Sequence, residues 1–326
     1  MSAKSQLIGA GANLYLSSRP TNRALYKLGR LLRGGRRHVR LYYRADDRYS
    51  HLLVQVAPRF ASTFRLEIEL IPVAQPGISA NPAPDMLRSH AIRDAAILAE
   101  GYGLSFPHGA EPPSEDRVRR AHAVLLGPRS TEEQLKVAAE IGEAVWGDDG
   151  AALAAIVERY GSVSGEEVRP VLEANYADLE RDGHYQPGML YYAGEWYWGV
   201  DRLYHLEKRL AELGIDQQPG QAMVMPRPDV GVAQRKDNGS LTLEVYPSLR
   251  SPYSAMSFDR AVKLAQDSGV NLVVRPVLPM VMRGVPATRQ KGLYIFGDAA
   301  REAWETGVPY GNFYDPIGEP VRRCYS

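Results

Sequence analysis

Between residues 86 and 180 the chain carries five helical patterns in succession with no strand among them, and β-rich segments flank this block on both sides. The opening run reads strand, helix, strand. Val39, Leu41, Tyr42 and Tyr43 form a β-rich stretch, and Ala45-Asp46-Asp47-Arg48 reads as a turn. Leu52, Leu53, Val56 and Phe60 then fall at helical spacing over Tyr49 to Phe60, where Pro58 is expected to kink or end the helix early. From Arg65 to Val73, Leu66, Ile68 and Leu70 alternate with Glu67 and Glu69, the period of a strand. A helix between two strands returns the chain in its original direction, so these strands are expected to pair in parallel.

The five helices are expected at Met86 to Tyr102, Glu115 to Leu126 with Ser114 as N-cap, Glu132 to Trp146 with Ser130 or Thr131 as cap, Ala151 to Tyr160, and Gly165 to Leu179. Pro170 marks the true start of the last of these or a kink in it. Beyond them, Met189 to Tyr192 and Glu195 to Trp198 flank Ala193-Gly194 and read as a hairpin. Leu203, Leu206 and Leu210 share one face of a final helix, Asp201 to Leu213, closed by Gly214. The order βαβ, helical insert, ββα is the layout of an α/β thioredoxin-like core carrying an all-helical insertion, here about residues 83–180.

Part of this pattern returns. Leu241, Leu243 and Val245 read as a strand, Arg250-Ser251-Pro252-Tyr253 as a turn, Ser254 to Gly269 as a helix, Asn271 to Val277 as a strand, and Tyr294 to Thr306 as a helix. The repeat lies roughly two hundred residues downstream, and the hairpin and last helix have no counterpart in it. At 326 residues two domains are the default. The expected organisation is a basic N-terminal extension over 1–37, a complete unit over 38–214, a Pro/Gly-rich linker over 215–238, and a partial second unit over 239–326.

Charge and cysteine content limit the chemistry. The net charge of +1 offers no global field for nucleic acid. Cys324 is the single cysteine, which excludes an internal disulfide, a CxxC redox pair and a cysteine-rich zinc site. The seven histidines lack metal spacing. No stretch of ~18 apolar residues is present, so no integral membrane segment is expected. Residues 1–40 hold nine Lys or Arg and no acid, and Leu25, Leu28 and Leu32 share a helical face ringed by Arg23, Lys27, Arg30 and Arg33. Such a helix either packs on the acidic side of its own domain, or touches a membrane surface, or serves as an organelle transit peptide. The expected location is the cytoplasm, with an organelle matrix as the alternative.

Several fragments of the second copy, in order, carry a family likeness: Ser251-Pro252-Tyr253-Ser254, Arg275-Pro276-Val277-Leu278, Lys291-Gly292-Leu293-Tyr294, Asp298, Arg301 and Gly307-Val308-Pro309. In the first copy it is carried by Tyr185-Gln186-Pro187-Gly188 and by Trp198-Gly199-Val200-Asp201-Arg202. This string resembles the 2-hydroxychromene-2-carboxylate isomerase and kappa-class glutathione transferase family of the DsbA-like thioredoxin superfamily. The resemblance implies a cis peptide at Gln186-Pro187, a glutathione cofactor, and Ser251 as the catalytic hydroxyl holding its sulfur. It also implies ligand contacts from Gln186, Pro187, Val200, Asp201 and Lys291, with Asp47 and Arg48 at the aligned first turn of copy one.

Each of these positions has a plainer reading. Ser251 reads equally as an N-cap with Pro252 at the first helical position. Asp47 reads as an N-cap too, and a carboxylate there opposes a neighbouring thiolate by like-charge repulsion. Arg48 would offset part of that repulsion or bind an anion. Asp201 reads as a helix cap with Arg202 exposed, Lys291 as a solvated lysine, and Asp298 with Arg301 as an i,i+3 helix pair. His184, beside the proposed cis-proline, is a candidate proton carrier. The functional expectations are a glutathione-dependent isomerase or transferase acting on a hydrophobic or aromatic small molecule, or a catalytically degenerate thioredoxin-like binding or scaffold protein. A thiol–disulfide oxidoreductase is rejected for want of a redox cysteine. An intramolecular pseudo-dimer and a homodimer are both compatible with a duplicated fold.

Overall fold

A computed structural model of the protein describes residues 3–32, 37–215, 220, 222–228, 236–285, 287–311 and 315–325. Arg33 and much of the expected linker lie outside them. Two helices, α1 (Ala3–Ser17) and α2 (Arg19–Leu32), open the chain. The chain divides into two compact units, Arg23–Pro228, and Met1–Asn22 with Asp229–Ser326.

In the unit Arg23–Pro228, β1 (His38–Tyr43), α3 (Arg48–Phe64) and β2 (Glu67–Pro72) form the βαβ opening. The insert follows as α4 (Pro84–Tyr102), α5 (Glu115–Leu125), α6 (Thr131–Trp146), α7 (Gly150–Tyr160) and α8 (Gly165–Arg181). The hairpin β3 (Met189–Tyr192) and β4 (Glu195–Trp198) leads through a 3-10 turn, Val200–Arg202, into α9 (Leu203–Glu212). The sheet runs β2-β1-β3-β4. β1 pairs in parallel with β2 and antiparallel with β3, as a helix crossover and a later return require. Val39, Leu41 and Tyr43 turn to one face and pack with Leu52, Phe60, Leu203 and Leu206 from α3 and α9. Tyr42 turns to the other face, against Leu179 of α8 with Tyr191 and Trp196 beside it.

Helix starts follow their caps: Ser114, Ser130 and Asp149 each accept a backbone N–H three residues on, and Ser164 one two residues on. Pro58 does not end α3, which continues to Phe64. Pro58 is exposed, so the carbonyl that loses its partner can be hydrated and the helix can bend away from the core. Pro170 likewise lies inside α8 rather than at its start. The hairpin turn places Ala193 at φ 47° and Gly194 at φ 83°. Tyr26 of α2 lies against Gly194, where a side chain would collide with its ring. Arg23 donates twice to Glu195, at 2.8 and 3.1 Å, so the basic face of α2 docks on an acid of its own unit. Leu25 and Leu28 remain exposed.

In the other unit, β5 (Thr242–Val245), α10 (Pro252–Ser268) and β6 (Asn271–Val274) form a second βαβ with its strands parallel. A 3-10 turn, Met280–Arg283, leads to α11 (Arg289–Thr306), and α12 (Glu319–Arg323) is the last element. The sequence gives little sign of α1, which has scant amphipathic character; it packs on α11, and Arg19 donates to the Gly297 carbonyl.

The two βαβ segments match position for position at a spacing of 204 residues. His38 faces Glu67 across β1 and β2, and Thr242 faces Asn271 across β5 and β6. Left-handed residues close the helices at Arg65 and Gly269. The bond from Val73 N to Tyr43 O recurs from Val277 N to Pro247 O. Asp94-Ala95-Ala96 and Gly103 recur as Asp298-Ala299-Ala300 and Gly307, and both glycines close their helices in the left-handed conformation.

Candidate functional site

In a core of this kind a ligand site is expected where the N-terminus of the first helix meets the loop before the hairpin. A helix start exposes unpaired N–H groups and the positive end of its dipole. Those two segments do converge. Gly188, at φ 70°, donates to the Tyr42 carbonyl and accepts from Gly199 N, both at 2.9 Å. A Cβ on Gly188 would lie 2.7 Å from Asp47 Oδ2 and 3.0 Å from Tyr49 Cβ. The backbone therefore passes directly over the first turn of α3, and only glycine permits that approach.

The Gln186–Pro187 bond is trans, since no cis peptide occurs among the described residues. The expectation of a cis bond is corrected: the chain turns onto the helix end through the left-handed Gly188. Gln186 is held from within, its Nε2 donating to Asn81 Oδ1 at 2.6 Å and its backbone N to His184 Nδ1 at 3.2 Å. His184 is fully buried and stacked on Tyr185 with centroids 4.7 Å apart, so it lies in an aromatic cluster and not at a site mouth.

Asp47 is the N-cap of α3. Its Oδ2 accepts from both Ser50 N and Ser50 Oγ at 2.7 Å. Ser50 Oγ in turn accepts from Arg44 N at 3.2 Å, which closes the loop upon itself. Burial pushes the Asp47 carboxyl above its usual range, opposed by the Arg48 charge and the Ser50 bonds. Arg48 reaches the Arg88 carbonyl of α4 at 3.2 Å. Tyr49 donates to Asp94 Oδ2 at 2.7 Å, and its ring meets Trp198 edge-on at 6.0 Å. Val200 is buried. Asp201 does not cap α9, because it lies within the 3-10 turn and pairs with Arg202 at 2.5 Å.

These residues do not fit the thiolate of glutathione. The anion-accepting end of α3 is filled by the protein's own carboxylate, which would repel a sulfur anion. A cleft of about 360 Å³ opens elsewhere, beside β2, lined by Arg40, Tyr42, Gln134, Asn175 and Asp178 among others.

The corresponding turn of the other unit has the same framework and a different cap. Ser251 Oγ accepts from Ser254 N at 3.3 Å, and Ser254 Oγ accepts from Ser248 N at 3.1 Å. Pro252 occupies the first helical position. Tyr253 donates to Asp298 Oδ2 at 2.7 Å, and Arg301 donates to Asp298 Oδ1 at 3.0 Å. Asp298 and Arg301 are both buried, so they form a tie between α10 and α11, more than support for one helix. Lys291 is half-buried in α11, and burial lowers its pKa. Ser251 thus offers a neutral hydroxyl where Asp47 places a carboxylate, and a hydroxyl at a helix start is compatible with a thiolate ligand.

Sequence reasoning missed the two tyrosine–aspartate ties, Tyr49 to Asp94 and Tyr253 to Asp298. Their partners lie 45 residues apart in both units, and the recurrence of Asp-Ala-Ala with a glycine at the same distance is the signal that marks them.

No family model matches this chain, and no curated protein matches it at a significant level. Among solved structures it is similar to a 2-hydroxychromene-2-carboxylate isomerase at 20% identity and a TM-score of 0.41, over 54% of this chain and 96% of that one. It is also similar to a candidate protein disulfide isomerase from Nitrosomonas europaea, at 15% identity and a TM-score of 0.37, over 56% of this chain and 99% of that one.

Proposed function

We propose that the chain is a tandem duplication of a DsbA-like thioredoxin unit that works as a binding or scaffold protein without thiol–disulfide chemistry. The observation that carries this reading is the buried Asp47 carboxylate, doubly bonded by Ser50, at the helix end where a thiol-handling relative needs an open position. The duplication is supported by the constant spacing of 204 positions linking Asp47 to Ser251, Tyr49 to Tyr253, and Asp94 to Asp298. With Cys324 the single cysteine, a reducing cytoplasmic setting suits this reading.

Ser251 favours a second reading: glutathione-dependent isomerisation or conjugation of an aromatic small molecule in the second unit. Its neutral hydroxyl caps α10 without filling the helix end with charge. Calorimetric titration of the full chain with reduced glutathione separates the two. The scaffold reading expects no heat and no thermal stabilisation. Binding that disappears in Ser251→Ala with unchanged circular dichroism, together with Ser251-dependent turnover of an aromatic substrate in the presence of glutathione, would carry the enzyme reading and overturn the first.

A further inference from the structure

We propose that the cleft beside β2 binds an extended peptide segment, which pairs through its main chain with the outward N–H and C=O of Leu70. The cleft, of about 360 Å³, has residues 69–72 of β2 as its floor. Its walls come from opposite sides of the sheet edge: Asn175 and Asp178 of α8 on one, Leu125, Leu126 and Gln134 of the α5–α6 region on the other. That volume lies in the range of ordinary ligand sites. β2 is in the interior of the chain, between α3 and α4, and among the described residues it pairs with β1 alone.

The backbone groups along this edge can be accounted for one by one. Glu67 N donates to Arg37 O and Val73 N to Tyr43 O, so in the parallel ladder residues 67, 69, 71 and 73 face β1, and Ile68, Leu70 and Pro72 face outward. Pro72 has no N–H to satisfy, and its carbonyl accepts from Asn175 Nδ2 at 2.7 Å. Ala74 N, the next in line, donates to Leu172 O at 3.0 Å. Helix α8 thus closes the end of the edge and stops short of Leu70. Leu70 is only 3% exposed, yet its outward N–H and C=O have no partner among the described residues. A peptide group so enclosed needs a partner within the cleft.

The chemistry of the lining selects the partner. Its charges are already matched within the chain: Arg40 with Asp182, Glu69 with His38 at 3.0 Å, and Asp178 with Arg181 at 2.7 Å. No unpaired charge is left to draw a small ion. What remains is amide chemistry. Leu70 presents one donor and one acceptor on the same side of a strand, the pair that one residue of an extended chain satisfies. Gln134 and Asn175 each spend a side-chain N–H on a backbone carbonyl, Gln134 on Leu125 O at 3.2 Å, and neither carboxamide oxygen is bonded. These two oxygens can accept the N–H groups that flank the paired residue. The inference does not depend on the scaffold reading, since glutathione bound through Ser251 would leave this cleft as it is.

Nuclear magnetic resonance of the full chain labelled with 15N-leucine tests this, the Leu70 amide being assigned through Leu70→Ile. The probes are alanine blocked as N-acetyl N-methylamide, and trialanine blocked in the same way, titrated to about 100 mM to cover weak millimolar binding. A saturable shift of the Leu70 amide is expected, with trialanine binding at least tenfold tighter than the single residue. Alanine methylated on its own nitrogen, which cannot donate to the Leu70 carbonyl, should not bind. Gln134→Met should weaken trialanine about fivefold, the effect of one hydrogen bond. Absence of a saturable shift overturns the proposal and leaves the edge to water. Equal affinity for the two probes overturns it in favour of a small amide. Binding of the methylated probe, or binding undiminished in Gln134→Met, overturns the placement at Leu70. None of these outcomes bears on Ser251, so the functional reading and this one fail separately.

Discussion

Gly142 in α6 lies against the ring of His51 in α3, and replacing it with alanine sets two effects of opposite sign against each other. A Cβ at Gly142 would overlap His51 Nδ1 and come within 3.0 Å of Cε1 and 3.2 Å of Cγ. His51 is fully buried, faces Phe106 at 6.1 Å and meets Gln55 Nε2 at 3.2 Å, so its ring cannot swing aside without disturbing the core. Overpacking of this kind costs about 1–3 kcal/mol. Alanine gains about 1 kcal/mol over glycine inside a helix. The clash is severe enough to put the cost near the top of its range, so the net change should be a loss of about 1–2 kcal/mol. In a unit of this size that lowers the melting temperature by about 2–8 °C. In a His51→Ala background the clash is gone and the propensity gain remains, so Gly142→Ala should there stabilise by about 1 kcal/mol. Urea denaturation of the four chains of this cycle, followed by circular dichroism, measures the coupling. If Gly142→Ala alone is neutral or stabilising, or if its effect is the same with and without His51, the account of the α3–α6 contact is wrong.

Acid should destabilise the unit Arg23–Pro228 through two histidines that fold uncharged. Burial lowers His51 to about 4 and His122 to about 3, from an unfolded value of 6.5. Below pH 6.5 the unfolded chain therefore binds protons that the folded chain refuses, and stability falls with pH. The two together should cost about 4 kcal/mol at pH 5, while Asp47, raised by burial, works in the opposite sense at lower pH. Urea midpoints measured from pH 8 to pH 4.5 would show this, and a flat profile would refute it. The tyrosine–aspartate ties should differ in strength: Tyr253→Phe removes a bond to a buried carboxylate and should cost about 1.5–3 kcal/mol. Tyr49→Phe should cost about 1 kcal/mol because Asp94 is only partly buried. Equal losses by thermal melting would refute that ranking.

The parts of the fold legible in the sequence were those with local causes. The five inserted helices and the hairpin follow from apolar periodicity and from Ser114, Ser130 and Gly194 as punctuation, and the structure places them within a few residues of expectation. Asp47 and Ser251 were legible as caps for the same reason. The errors came where context outweighs local rule. Pro58 stays inside α3, where it is exposed to water. Gln186–Pro187 is trans, and the turn there falls on Gly188 at φ 70°. The ties from Tyr49 to Asp94 and from Tyr253 to Asp298 join residues with no neighbour relationship in sequence, so only the recurring Asp-Ala-Ala and glycine spacing could have disclosed them.

The loops over 44–50 and 248–254 begin and end on the same pair of bonds, Arg44 N to Ser50 Oγ and Ser248 N to Ser254 Oγ. The two loops therefore share one closing bond around different caps, Asp47 and Ser251. Transplanting the second into the first would put a hydroxyl in place of a charge beneath Gly188, inside the unit that has its full sheet.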